Sequence, residues 1–160
     1  MTGQAEVSTV TALEAVERLA ANRPGGRLNL LGDAHAAETL GRWFAAQART
    51  YGAEIVVIWD EPQAAVLAHV VAREMNCGVV RVLSEEGLVE LVDTPAGGEH
   101  GLLLADSFDS ENAVRSLIGV SERAGITPAV IAAIQPGEVF EQIMLTIPYP
   151  TFSPVQGAAR

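Results

Sequence analysis

The run Ile55-Val56-Val57-Ile58-Trp59 leaves a folded chain few options. Five apolar residues in succession have no polar side to turn to water. The segment reads as a strand buried on both faces, the habit of parallel sheets covered by helices on both sides. Asp60-Glu61-Pro62 follows as a turn. Pro62 suits the first position of a helix, which runs to about Met75 and breaks at Asn76–Gly78. Val79–Leu83 is the next strand.

The same unit returns in His100–Ala124, HGLLLADSFDSENAVRSLIGVSERA. Gly101–Ala105 is an apolar strand, an acidic turn follows, and Glu111–Ala124 has helical spacing ended by Gly125. Pro128–Ile134 is a further strand. Between the two units, Ser84-Glu85-Glu86-Gly87 is a tight turn, with Leu88–Val92 as a strand partner that makes a hairpin. Asp93–His100 is a loop rich in turn residues.

Towards the N-terminus, Val10, Leu13, Val16, Leu19 and Ala20 predict a helix capped by Ser8 or Thr9 and ended at Asn22–Gly26. Leu28–Leu31 is expected to be a short strand. Asp33 is the expected N-cap of a helix over Ala34–Thr50, with Leu40, Trp43, Phe44 and Ala48 on one face and Gly52 as its stop. Trp43 and Phe44 are adjacent. One is expected to pack on the sheet and the other to stand exposed at an interface. Glu138–Leu145 reads as a short strand or a turn of helix. Residues 1–7 are expected to be a loose tail. Residues 147–160, with Pro148, Pro150 and Pro154, are expected to be extended and to lie along a neighbour. Helices alternating with buried strands predict a single α/β domain over residues 1–160, a central parallel sheet flanked by helices.

The net charge is −10, and all ten basic residues are arginines. An acidic chain lacks the basic footprint that nucleic acid or an anionic membrane demands, so neither is expected as a partner. The absence of lysine excludes Schiff-base chemistry, a P-loop lysine and a lysine general base. Cys77 is the single cysteine. It forms no internal disulfide, has no basic neighbour in sequence to activate it, and fits a reducing cytoplasm. There is no apolar run long enough to span a membrane and no leader-like N-terminus. Arg-for-Lys and Ala-rich usage suggests a GC-rich bacterial genome. His35 reads as a surface residue, His69 as a partly buried, satisfied one, and His100 precedes a strand in a Gly-rich loop. Their spacing makes no zinc site. No nucleophile elbow, dinucleotide-binding glycine fingerprint or Walker sequence occurs.

The order strand–acidic turn–helix (IVVIWDEPQAAVLAHVVAREMN), strand (VVRVL), hairpin or loop, strand–acidic turn–helix (GLLLADSFDSENAVRSLIGVSERAG), strand (AVIAAI) resembles the type I phosphoribosyltransferases over roughly residues 28–135, with orotate phosphoribosyltransferases the most similar members. The terminal YPTFSP is loosely similar to the tail of some orotate enzymes. The resemblance implies the family's central parallel sheet, a homodimer or heteromeric assembly, and a site for a phosphorylated sugar or nucleotide after the second unit's strand. There the family carries two adjacent acids for the ribose hydroxyls, then a Thr/Gly-rich turn whose amides cradle the 5′-phosphate at a helix N-terminus. This chain has Ala105-Asp106, so only Asp106 carries over, and then Asp109-Ser110-Glu111-Asn112-Ala113 with no glycine. Two carboxylates stand where a phosphate would sit, and unit charges about 4 Å apart in partly shielded protein repel by roughly 4 kcal/mol. Asp109 and Glu111 are expected to occupy the helix N-terminus as cap and dipole partners. The family's Gly-rich pyrophosphate turn is here Trp59-Asp60-Glu61-Pro62-Gln63, and its lysines and long mobile loop have no counterpart.

Three readings follow. The first is a phosphoribosyltransferase-like protein that has lost its catalysis and serves as a binding, regulatory or partner subunit, with no cofactor. The second is an active, divergent transferase. In it Asp106 would hold the ribose, Ser110 and the amides of Glu111–Ala113 the phosphate, and Arg81 an acidic base such as orotate, with Mg²⁺ as cofactor. The third takes Asp60, Glu61, Asp106 and Asp109, all just after parallel strands, as oxygen ligands of a hard cation. Asp60 and Asp106 are the weak metal candidates. The plainer reading of these four acids is a solvated sheet edge with helix caps.

Overall fold

A computed structural model describes residues 7–21 and 28–156. Its elements run α1 (Thr9–Ala20), α2 (Ala34–Thr50), β1 (Ile55–Trp59), α3 (Pro62–Met75), β2 (Val79–Glu85), β3 (Leu88–Leu91), β4 (His100–Ala105), α4 (Glu111–Arg123), β5 (Thr127–Ala133), α5 (Glu138–Met144) and β6 (Thr151–Phe152). They form one six-stranded sheet in the order β3-β2-β1-β4-β5-β6. Every pairing is parallel except β2 with β3. The expected architecture, one α/β domain with a central, mostly parallel sheet, is the observed one.

The unbroken β-branched run of β1 has its physical cause in the packing. Val56 and Ile58 face a core shared with α1, α2 and α3, while Ile55 and Val57 face a second core built with α4 and α5. Helices cover both faces, so alternation of apolar and polar residues has no place in the central strands.

Local signals act as their chemistry demands. Ser8 accepts from the Thr11 amide and Asp33 from the Ala36 amide, capping α1 and α2. Pro62 opens α3, and Asn76 closes it in the left-handed region. The β2–β3 hairpin turns on Glu86 and Gly87, both at positive φ (49° and 83°), the two-residue turn that matches the twist of paired strands. Glu138–Leu145 resolves as helix rather than strand.

Three expectations change. Leu28–Leu31 is a turn, not a strand. Its backbone bonds locally, Asn29 N–H to the Leu19 carbonyl and Gly32 N–H to that of Asn29, while the Leu30 N–H donates to Gln63 Oε1 at 2.6 Å. Leu28 and Leu30 are buried by plugging the helical layer, which accounts for their apolar character.

Trp43 and Phe44 are both buried, at 4% and 0% exposure, so neither is an exposed interface aromatic. The chain's own C-terminal segment covers them. Phe152 lies 5.7 Å from the Trp43 ring and 5.5 Å from Phe44, and stacks on Tyr51 at 5.8 Å. The Pro-rich stretch thus supplies β6, pairing with β5. His69 is exposed rather than partly buried.

The break at 22–26 and most of the expected N-terminal tail lie outside the described residues. Among those described, no helix is long and apolar enough to cross a membrane.

Candidate functional site

Strand order creates the site. From β1 the chain crosses by α3 to β2 on one side. From β4 it crosses by α4 to β5 on the other. The carboxyl ends of adjacent β1 and β4 therefore splay their connections apart, and the crevice between them is where open α/β sheets bind ligands. A cleft of about 620 Å³ opens there, floored by Leu104 and Ala105 and walled by Trp59, Glu61 and Gln63 on one side and by residues 106–110, 112 and 113 on the other.

Within it the acidic turns meet. Asp106, half-buried, accepts from the Ser107 amide at 3.0 Å, and its carbonyl accepts from the Gln135 amide at 2.9 Å, which pins the end of β4 to the end of β5. Asp109 is exposed and accepts from Ser107 Oγ at 3.3 Å. Glu61 stands at the mouth of the cleft. Partial burial, and after it the charges of Asp106 and Asp109, push its carboxyl above the usual range. Glu61 therefore feels the charge of Asp106 and Asp109, and no arginine lines the cleft.

The start of α4 is capped differently from expectation. Ser110, not Asp109 or Glu111, is the N-cap, and its Oγ accepts from the Ala113 amide at 3.1 Å. A hydroxyl in extended backbone reaches the third amide of the helix without strain. Glu111 turns outward to Arg115, one helical turn on, at 2.6 Å. Asn112 and Ala113 line the cleft with Ser110.

Asp60 and Arg81 lie elsewhere. Arg81 Nε and Nη2 hold Asp93 at 2.9 and 3.0 Å, and Nη1 stands 3.7 Å from Asp60 Oδ1. Of the residues singled out from the sequence, Glu61, Asp106, Asp109, Ser110, Asn112 and Ala113 share the cleft. Asp60, Arg81 and Glu111 are engaged in ion pairs outside it. Among the described residues no group of three or more His, Cys, Asp or Glu side chains is arranged to hold a metal ion. Cys77 is half-buried. Burial pushes its thiol up, with Arg49 pulling the other way, so an arginine distant in sequence is in fact near it.

Sequence reasoning missed Gln63, Ser84, Val89, Ser107, Phe108, Ser116 and Gln135 in the lining. Ser107 and Gln135 directly follow β4 or its turn and β5, so the rule that singled out the acids, position just after a parallel strand, also reaches them. Ser84 and Val89 come from the hairpin and carry no such signal.

No protein-family model matches the sequence, and no curated protein matches it. Solved structures do. Adenine phosphoribosyltransferase from Rhodothermus marinus superposes with a TM-score of 0.70 at 16% identity, covering 91% of this chain and 98% of that one. Orotate phosphoribosyltransferase from Mycobacterium tuberculosis gives 0.70 at 12% identity, covering 90% and 95%. The orotate enzyme from Aeropyrum pernix gives 0.66 at 16%, covering 85% and 82%. At such identities the likeness speaks for the fold. With its six-stranded, mostly parallel sheet and helices on both faces, the chain has the type I phosphoribosyltransferase fold.

Proposed function

We propose that this is a phosphoribosyltransferase-fold protein that does not turn over phosphoribosyl pyrophosphate and acts as a binding, regulatory or partner subunit, in a homodimer or a heteromer. The observation that carries this reading is the meeting of Glu61, Asp106 and Asp109 in one cleft that no arginine lines. A diphosphate-bearing sugar entering there would meet like charge from both walls. The nearby cations are committed elsewhere, Arg81 to Asp93 and Arg115 to Glu111. A cytoplasmic setting belongs to this proposal, as does a phosphorylated sugar or nucleotide bound without chemistry.

A second reading keeps catalysis. It is favoured by one observation, that Asp106 and the first-turn residues Asn112 and Ala113 line the same cleft. Asp106 would then hold the ribose and the helix N-terminus the phosphate. Mg²⁺ would come with the substrate, bound by its phosphates and one carboxylate.

Calorimetry with phosphoribosyl pyrophosphate and Mg²⁺, paired with an assay of pyrophosphate release in the presence of orotate or adenine, separates the two. The first reading expects no base-dependent release. Saturable binding together with base-dependent release, both lost in Asp106→Asn, would establish the second and dispose of the first.

A further inference from the structure

The helical layers stop short of one part of the sheet. Cross-strand register places Arg81, Leu83 and Glu85 of β2 on one face with Leu88, Glu90 and the following Val92 of the β3 strand. On the opposite face of the same hairpin, Val80, Val82, Val89 and Leu91 pack against α4. The first face is covered only in part, with Leu83 half-buried. Leu88 is 73% exposed and Val92 43%, and β3 is the edge of the sheet. Elsewhere this sheet is covered on both faces, as α/β sheets require.

The rim of the patch is acidic. Glu85, Glu86 and Glu90 are exposed and form no ion pair among the described residues. Arg81 is shared between Asp93 and Asp60, which leaves that trio with a net negative charge as well. A second copy seated here about a two-fold axis would bring these acids against their own likeness. A nucleic acid or an anionic membrane is repelled in the same way. Two strands about 4.8 Å apart offer a strip that one helix, about 10 Å across, covers.

We propose that the outer face of the β2–β3 hairpin is a docking surface for an amphipathic helix of a second protein, with an apolar stripe over Leu83, Leu88 and Val92 and arginines or lysines flanking it. This stands on the hairpin alone and does not depend on what the cleft holds. Ser84 and Val89, on the hairpin's inner side, line the cleft, so a helix seated on the outer face would brace one wall of it.

The probe is a synthetic helical peptide with leucines at i, i+3, i+4 and i+7 and arginines beside them, titrated against the full chain at near-physiological salt. A scrambled peptide of identical composition is the control for the chain's overall negative charge. The patterned peptide is expected to bind roughly tenfold tighter than the scrambled one. Leu88→Ser and Glu90→Arg should each weaken it with the melting temperature unchanged, and amide shifts should centre on residues 81–92. Equal binding of the two peptides overturns the proposal, as do shifts centred on Glu61, Asp106 and Asp109. A dimer of the chain itself that Leu88→Ser dissolves would also overturn it, because the surface would then belong to a second copy.

Discussion

Arg81 grips Asp93 at two points, Nε to Oδ2 at 2.9 Å and Nη2 to Oδ1 at 3.0 Å, and the backbone amide of Arg81 adds a third bond to the same carboxylate at 3.0 Å. One arginine thereby ties the strand β2 to the second residue past the end of β3, closing the base of the hairpin. It also removes the most plausible cation from the cleft. The guanidinium holds the Asp93 carboxyl below the usual aspartate range. A carboxyl depressed in the folded state contributes stability above its unfolded pKa and loses it as pH falls through the folded one. Arg81→Gln is therefore expected to lower the melting temperature at pH 7 by a modest amount, since the pair is partly exposed. The difference from wild type should shrink as pH falls below about 3.8, the ordinary aspartate value. Melting curves across pH 2.5 to 7 check it; a gap that stays constant with pH would assign the loss to packing rather than to the ion pair.

Glu61 behaves in the opposite sense. Burial and the charges of Asp106 and Asp109 raise its carboxyl. A raised acid contributes stability that is present below its unfolded pKa and is lost as pH climbs through the folded one. Glu61→Gln should therefore raise the melting temperature at pH 7, and the gain should vanish on acidification to about pH 4, near the unfolded glutamate value. Asp106→Asn should reduce the benefit of Glu61→Gln, because the two groups share one repulsion. Additive effects in the double variant would mean that the carboxylates do not sense each other across the cleft.

Much of this was legible in the sequence, and the reasons are specific. Ile55–Trp59 announced a central strand because only burial on both faces tolerates such a run. Asp33 and Pro62 announced helix starts because their chemistry suits few other places. Leu28–Leu31 misled because apolar residues in a short stretch mark burial, not hydrogen-bond pattern. The partner that satisfies Leu30, Gln63, lies far along the chain on α3. Trp43 and Phe44 misled for a related reason. Adjacent aromatics on a helix diverge, but Phe152, more than a hundred residues on, closes over both. Position after a parallel strand is the signal by which Glu61, Asp106 and Asp109 group in one cleft. It does not bring in Asp60, which stands beside Arg81, and Arg81 in turn is held by Asp93, a pairing that spacing does not encode.

Ser110 separates two roles for the start of α4. Its hydroxyl caps the helix through the Ala113 amide, so Ser110→Ala should cost about 1 kcal/mol of stability, the ordinary value of a lost N-cap. Ser110→Asp should recover most of it, because a carboxylate also caps and suits the positive end of the helix dipole. Denaturant unfolding of the three proteins tests this directly. If Ser110→Asp keeps stability but abolishes binding of inorganic phosphate that the wild type shows, the helix start also serves as an anion site, and the acidic-cleft reading would have to give way.

Gly41 lies where α2 crosses α3. A Cβ there would come within 2.4 Å of Val70 Cγ1 and 2.6 Å of Val70 Cβ, and Val70 is only 4% exposed. Gly41→Ala sets two effects against each other. Alanine is favoured over glycine inside a helix by about 1 kcal/mol, while overpacking a closely packed contact costs roughly 1 to 3 kcal/mol. The clash should win, because Val70 Cβ is fixed to its backbone and cannot swing aside as a flexible side-chain end does. Pairing the change with Val70→Ala removes the nearer atom and leaves the other, so rescue should be partial. A double-mutant cycle is expected to give a favourable coupling of about 0.5 to 3 kcal/mol. The contact also bears on the site, since α3 begins at Pro62 and its seating against α2 positions Glu61 at the cleft. Gly41→Ala should accordingly shift the amide resonances of Glu61 and Gln63 as well as those around Val70. Shifts confined to the helix crossing would show that the cleft is held by the sheet alone.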